Sequence, residues 1–259
     1  MHGGTDGVGE VMAWSTEGAE VDERRAIRAF CAGNLRESAR AAESALVAKA
    51  TAMDPSSPGV CGLTEALLKL YNMMALSGLR EGNLTGCLDV LRKAEYLCAR
   101  YASATLPEAE ACERTRLHVV TLNNLGCCLA RMGRRRAALT CCDEAIRASR
   151  ALDGPGSQAA RLELAAGAHL NMSATLCQLG QYQMGLSHAT AAKENVEEAL
   201  SLQPAPDDAW GDGAARLGGL KLIALYNMAV EFQHMGVGLR RRRPCSPRPA
   251  TEDSLSQVY

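Results

Sequence analysis

Residues 121–146 have the sequence TLNNLGCCLARMGRRRAALTCCDEAI, and the spacing of this stretch recurs along the chain. Its central glycine, Gly133, has counterparts at Gly33, Gly82, Gly180 and Gly236. Twelve residues beyond the first four of these glycines the chain has alanine every time: Ala45, Ala94, Ala145 and Ala192. A fixed spacing of this kind indicates a repeated structural unit, so the repeat decides how the rest of the chain is interpreted.

Small residues stand at two further fixed distances from each glycine. Seven residues before the five glycines are Ala26, Ala75, Gly126, Ser173 and Ala229, and five residues after the first four are Ser38, Cys87, Ala138 and Gly185. Small side chains on both sides of a turn let the backbones of two antiparallel helices approach closely. Leucines and methionines between them recur every three or four positions, which is a helical period. The sequence therefore predicts a unit of two helices joined at the glycine.

The composition favours an all-α protein. The 259 residues are 47% hydrophobic but only 4% aromatic, so the core must consist mainly of Ala, Leu, Met and Cys, which suit close-packed helices. The formal net charge of -1 provides no overall field to attract nucleic acid or an anionic membrane. We expect a cytoplasmic protein, because the sequence shows neither a secretory signal pattern nor an apolar span long enough for a bilayer.

The order of small residue, glycine, small residue and alanine resembles the tetratricopeptide repeat family, most clearly in residues 124–146 and 171–192. The resemblance implies a right-handed superhelix of stacked antiparallel helix hairpins, with the first helix of each hairpin lining a concave groove. The intervals between the glycines, 49, 51, 47 and 56 residues, exceed the family's period of about 34. We expect the additional length to fall in loop-like sequences at 53–59, 103–108, 153–157 and 203–208.

The repeats cover residues 22–236, which divides the chain into three parts. We expect a flexible segment at 1–21, a repeat domain of about four hairpins plus a terminal half-repeat at 22–236, and a disordered Arg/Pro-rich tail at 237–259. Pro244, Pro247 and Pro249 forbid a regular helix through that tail. The half-repeat would leave apolar surface uncovered, which is typical of a truncated or alternative C-terminus or of an end that a partner covers.

Asparagines on the predicted first helices are the candidate binding residues. Asn124, Asn171 and Asn227 each stand nine residues before their glycine, and seven positions later the same helix face has Arg131, Gln178 and His234. The resemblance implies that such an asparagine grips the backbone of a bound peptide, since an amide both donates and accepts hydrogen bonds. We therefore predict a peptide-binding ladder of these six residues. The alternative is that the amides bond to neighbouring helices or face water.

No pattern in the sequence predicts catalysis, a cofactor or a metal. The cysteine pairs Cys127-Cys128 and Cys141-Cys142 are adjacent on helices, so at most one of each pair points to a common centre. We expect the cysteines to be small core residues. The five histidines have no clustered carboxylates, and no nucleotide-binding or hydrolase motif occurs.

The most consistent function is a non-catalytic scaffold or adaptor that binds a peptide or helix of a partner protein, with no small-molecule substrate and no membrane contact. Two alternatives stay open. The arginine runs Arg134–Arg136 and Arg240–Arg243 would serve a nucleic-acid-binding repeat, and the second run would also serve nuclear import, although the neutral net charge argues against nucleic acid. A structural subunit would instead dock through the uncovered C-terminal end.

Overall fold

The structure is a computed structural model that describes residues 6–101, 106, 108–152, 157–202 and 212–241, with side chains described between residues 17 and 236. Within these ranges the chain forms nine α-helices and no strand: α1 Asp6–Cys31, α2 Leu35–Ala52, α3 Pro58–Glu81, α4 Leu84–Arg100, α5 Glu108–Arg131, α6 Arg135–Ser149, α7 Ser157–Gln178, α8 Tyr182–Ser201 and α9 Asp212–Arg241. None of these helices is long and apolar enough to span a membrane.

Consecutive helices pack as antiparallel pairs, which confirms the predicted all-α hairpin architecture. The hairpins are α1–α2, α3–α4, α5–α6 and α7–α8, and α9 packs on α8 as a single helix. Each hairpin also contacts the next, and the first helices touch one another in the order α3, α5, α7 and α9. The second helices make no comparable contact with each other within the described ranges. The first helices therefore line one common side of the stack.

Glycine ends the first helix of each hairpin. Gly33, Gly82, Gly133 and Gly180 have φ angles of 75°, 78°, 77° and 73°, a left-handed conformation that only glycine adopts without steric cost. The second helix then begins within two residues, and in two hairpins an asparagine caps it. Oδ1 of Asn34 accepts a hydrogen bond from the backbone N–H of Glu37, and Oδ1 of Asn83 accepts one from Gly86.

The small residues lie where the helices cross, as the sequence predicts. Ala45, Ala94, Ala145 and Ala192 are all 0% exposed, and the residues seven before and five after the four turn glycines are buried as well. In the third hairpin, a methyl group added at Gly126 would lie 2.6 Å from Sγ of Cys142. An alanine at this position would therefore require Cys142 or the helix crossing to shift. The repeat register is thus a packing requirement.

Three expectations need correction or qualification. Gly236 was expected to end a hairpin helix, but α9 continues through it to Arg241. The additional repeat length lies largely in the helices and not only in the loops, because α3 and α4 alone have 24 and 17 residues, more than the family's whole period of about 34. Helix α1 begins at Asp6, inside the segment 1–21 that was expected to be flexible. The tail beyond Arg241 lies outside the described residues.

Candidate functional site

Asparagine side chains link the first helices across the repeats. Nδ2 of Asn72 on α3 donates to Oγ1 of Thr121 on α5 at 2.9 Å and to the carbonyl of Leu68 at 2.8 Å. Oδ1 of Asn72 accepts from Nδ2 of Asn124 on α5 at 2.7 Å. Asn72 is only 6% exposed, so these bonds satisfy an amide that would otherwise be costly to bury.

The same arrangement recurs between α5 and α7. Nδ2 of Asn171 donates to Oδ1 of Asn123 at 2.7 Å. We call these two contacts, Asn72 with Asn124 and Asn123 with Asn171, the asparagine ladder. In each contact an asparagine ten residues before one turn glycine accepts from an asparagine nine residues before the next. The doubled asparagine of residues 123–124 therefore serves both neighbouring repeats, one residue for each.

The asparagine ladder ends before α9. The position ten residues before Gly180 is Leu170, which has no acceptor for the amide of Asn227. Asn227 is half-buried, and its side chain makes no hydrogen bond to any residue that the structure describes. Of the three predicted asparagines, two are thus bonded to a neighbouring first helix, and Asn227 alone keeps its whole amide available.

The three other predicted residues lie near the turns. Nη1 of Arg131 donates to the carbonyl of Leu79 at the end of α3. Oε1 of Gln178 accepts from Nε of Arg135 at 3.2 Å, which engages the middle residue of the arginine run 134–136. The ring of His234 stacks on Tyr182 of α8, with centroids 4.7 Å apart and an angle of 6° between the planes. The structure therefore separates these three contacts from the asparagine ladder by about two helical turns.

Sequence reasoning missed the partners of the asparagine ladder and a cavity at the N-terminal end. Asn72 and Asn123 stand ten residues before their glycines, one position from the predicted register, and both accept hydrogen bonds from the predicted asparagines. Their common position, ten residues before a glycine, was the available signal. The spacing of the repeat contains no feature that predicts the cavity.

The cavity lies between α1, α2 and α3 and has a volume of about 630 Å³. Its wall is mainly apolar and includes Ile27, Phe30, Ala42, Leu63, Leu70 and Met73. We call it the first-hairpin cavity. It exists because no backbone contact joins α1 to α3 in the described chain, whereas every later pair of neighbouring first helices is in contact. At the positions of the ladder asparagines, α1 has Glu23 and Arg24.

Three charged residues also line the first-hairpin cavity: Glu23, Lys49 and Lys69. Nζ of Lys49 pairs with the carboxylate of Glu23, which joins α2 to α1. Nζ of Lys69 on α3 lies 3.0 Å from Oε1 of Glu113 on α5. Both lysines are therefore neutralised by carboxylates, so the cavity suits an apolar group and not an anion.

The cysteines are mostly core residues, and the buried thiols are unreactive. Cys87, Cys98, Cys128 and Cys142 are at most 5% exposed, and burial raises the pKa of the Cys87 and Cys142 thiols to about 12. A thiol with so high a pKa is neither a nucleophile nor a ready metal ligand at neutral pH. In the described ranges, no group of three or more His, Cys, Asp or Glu side chains could hold a metal ion.

Two histidines share a hydrogen bond inside the fourth hairpin. Nδ1 of His169 on α7 lies 2.8 Å from Nδ1 of His188 on α8, so one ring must donate and the other accept. Burial, together with smaller effects of the neighbouring His188 and Arg150 in the same direction, lowers the pKa of His169 to about 4. Burial also lowers the pKa of His188, against the opposing effect of Asp143. The pair is therefore neutral at physiological pH.

These features define a helical-repeat protein, built from stacked hairpins in which the first helices from α3 to α9 form a continuous surface. A family model described as "Tetratricopeptide repeat" matches residues 120–152, so this part of the chain, in the third hairpin, is similar to the tetratricopeptide repeat family. Such repeats generally mediate protein–protein interactions, on the extended surfaces that stacking creates.

Among the solved structures to which the chain is similar is the "Crystal structure of BtubC (BKLC) from P. vanneervenii". The two share 14% sequence identity over 96% of this chain and 97% of that one, with a TM-score of 0.48. No curated protein matches the chain.

Proposed function

We propose that the protein is a non-catalytic interaction scaffold or adaptor, which binds a helix or peptide of a partner protein along the surface of its first helices. The observation that carries this proposal is the first-hairpin cavity. It is the place where two neighbouring first helices stand apart and leave an apolar space of about 630 Å³ between them. A volume of that size accommodates several side chains of a ligand.

The wall of the cavity favours an amphipathic helix as ligand. Ile27 is 63% exposed, Phe30 47% and Met73 43%, so three large apolar side chains already face solvent there. A helix that inserts apolar residues at spacings of three and four would remove this surface from water. Lys49 and Lys69, which line the cavity, are each already paired with a carboxylate and offer no free charge for the terminal carboxylate of a ligand.

The predicted asparagines have unequal parts in this proposal. Asn124 and Asn171 use one N–H each to hold neighbouring first helices, so they contribute to a ligand only through their remaining atoms. Asn227 has its full amide free on the same inner surface. We therefore expect Asn227 to contribute most among the three, about 1 kcal/mol for one additional hydrogen bond.

The test begins with a phage-displayed library of helical peptides, selected on the whole chain. Binding of a selected peptide is then measured by calorimetry for the wild type, for Ile27→Glu and for the control Val47→Glu. Val47 is 66% exposed on α2 and does not line the first-hairpin cavity, so both variants place one charge on an exposed apolar position. We expect Ile27→Glu to lose at least about tenfold in affinity, because its charge must be buried with the ligand.

Equal losses in both variants, or none in either, would contradict binding at the first-hairpin cavity. The variant Asn227→Ala, measured with the same peptide, then shows whether the ligand extends along the inner surface to α9. A circular dichroism spectrum for each variant confirms that its helices are intact.

A further inference from the structure

Helix α9 has a face that the described chain leaves uncovered. In the four hairpins the small residue seven positions before the turn glycine is buried by the second helix, but its counterpart Ala229 is exposed. A methyl group added at Gly218, Gly219 or Gly236 would meet no atom of the described residues within 4 Å. The surface on which a second helix normally packs is thus open along about six turns.

This face is apolar and carries no charge. Its large side chains are Leu222, 69% exposed, Leu225, 43%, Tyr226, 69%, and Phe232, 55%. They alternate with small residues between Ala215 and Gly236, and we call the whole face the terminal stripe. So large an apolar surface on a single helix marks a site of association.

The charged residues of α9 whose side chains the structure describes, between residues 213 and 236, point away from the terminal stripe, toward the preceding hairpin. Nη2 of Arg216 donates to Oε2 of Glu163 at 2.8 Å, and Nζ of Lys221 lies 2.9 Å from Oε1 of Glu197. Glu231 is 1% exposed and lies against Gly185. The terminal stripe therefore has no charge that would repel an identical stripe or select an oppositely charged partner.

We infer that two copies of this chain associate through the terminal stripe, with the two α9 helices antiparallel about a two-fold axis between residues 225 and 226. In this register Leu222 lies opposite Ala229 of the second copy, Phe232 opposite Gly219, and Leu225 opposite Tyr226. The two pairs farther from the axis, Leu222 with Ala229 and Phe232 with Gly219, each match a large residue with a small one. Because a two-fold interface repeats every contact, both matches occur twice.

The area of the terminal stripe is sufficient for a specific dimer. At roughly 200 Å² for each large side chain, the four exposed ones contribute on the order of 450 Å² per copy, and the small residues between them add to this. Two copies would bury on the order of 1,000 Å² or more, which reaches the lower limit of about 1,000 Å² expected of a biological interface. Because α9 is the last helix that the structure describes, two stacks would meet end to end at this face.

The register predicts a reciprocal rescue. Leu222→Ala leaves a space opposite Ala229 of the second copy, and Ala229→Leu introduces a clash with Leu222, so each single variant should weaken dimerisation by at least about tenfold. The double variant Leu222→Ala/Ala229→Leu exchanges large and small residues in both pairs. It should dimerise within about threefold of the wild type. The control Ile223→Ala shortens a neighbouring side chain that is 49% exposed but lies off the stripe, and should change nothing.

Sedimentation velocity of the full chain over a concentration series measures the dissociation constant for each variant. The wild type is expected to sediment with twice the 27.5 kDa of one chain at about 100 µM, since interfaces of this size give micromolar or tighter association. A wild type that remains monomeric there would overturn the inference and assign the terminal stripe to another occupant. A dimer in which the double variant is as weak as the single ones would overturn the proposed register. Thermal unfolding of each variant verifies that the fold is unchanged.

Discussion

Replacing Asn72 by alanine tests whether the asparagine ladder holds the first helices together. The substitution removes two hydrogen bonds between α3 and α5, one that Asn72 donates to Thr121 and one that it accepts from Asn124. It also removes the bond that Asn72 donates to the carbonyl of Leu68. Thr121 keeps its bond to the carbonyl of Leu117, and the half-buried Asn124 remains accessible to water. No strongly buried group is therefore left without a partner.

The expected cost follows from the bonds that are lost. Two bonds between helices at about 1 kcal/mol each give a destabilisation of about 2 kcal/mol for Asn72→Ala. Asn124→Ala loses one such bond and should cost about 1 kcal/mol. The double variant should cost no more than Asn72→Ala alone, which corresponds to a coupling energy of about 1 kcal/mol. The intrinsic preference of alanine for helices slightly reduces every value.

Asn227→Ala is the matched control, because it makes the same chemical change on a first helix where no described partner exists. Urea unfolding followed by circular dichroism gives the free energy of unfolding for all four variants, provided that the slope with denaturant stays constant. We expect Asn227→Ala to lie within about 0.5 kcal/mol of the wild type. A coupling energy near zero, or a loss in Asn227→Ala as large as that in Asn124→Ala, would refute the ladder.

Three further substitutions test the packing and the histidine pair. Ala145→Leu should overpack the helix crossing at a residue that is 0% exposed, cost about 1 to 3 kcal/mol and lower the thermal midpoint. Gly126→Ala should also destabilise, because its methyl group would lie 2.6 Å from Sγ of Cys142; an unchanged midpoint would show that the crossing can widen. The folded pKa of His169, about 4, lies below its unfolded value of 6.5, so the unfolded state binds more protons in this range. The free energy of unfolding should therefore decrease as the pH is lowered from about 6.5 to 4. Allowing for solvent, the loss is at most about 2 kcal/mol, and His169→Gln, which leaves His188 alone, should flatten the pH dependence of urea unfolding.

The hairpins could be predicted from sequence because the turn and the crossing each require one kind of residue. Gly133 must be glycine to adopt a φ of 77°, and Ala145 must be small where two helices touch. Both requirements act within one hairpin, so they repeat at fixed distances along the chain. A local constraint of this kind is visible in a single sequence.

Gly236 shows where this reasoning fails. A glycine inside a helix costs only about 1 kcal/mol, so glycine alone does not end one. The four turn glycines are followed by Asn34, Asn83, Arg134 and Gln181, whereas Gly236 is followed by Val237, a poor residue for starting a new helix. Because only Asn34 and Asn83 cap the following helix with their side chains, the residue after the glycine explains part of the difference and the repeat pattern none of it.

The candidate site was less predictable because it depends on contacts between repeats. The role of Asn124 is decided by Asn72, which lies 52 residues earlier in the chain. The first-hairpin cavity results from a contact that α1 and α3 do not make, and a missing contact leaves no residue pattern. The individual asparagines were found, but their partners required the structure.

The lack of contact between α1 and α3 also has a dynamic consequence. The first hairpin is attached to the rest of the stack mainly through α2, which packs on α3 and pairs Glu43 with Lys93 of α4, so it should open as a separate cooperative unit, at a lower free energy than the central hairpins. Amide hydrogen exchange should therefore be fastest in α1 and α2 among the hairpin helices. A ligand seated in the first-hairpin cavity would replace the absent helix contact and slow that exchange, so a local change in protection would report binding even before the partner is identified.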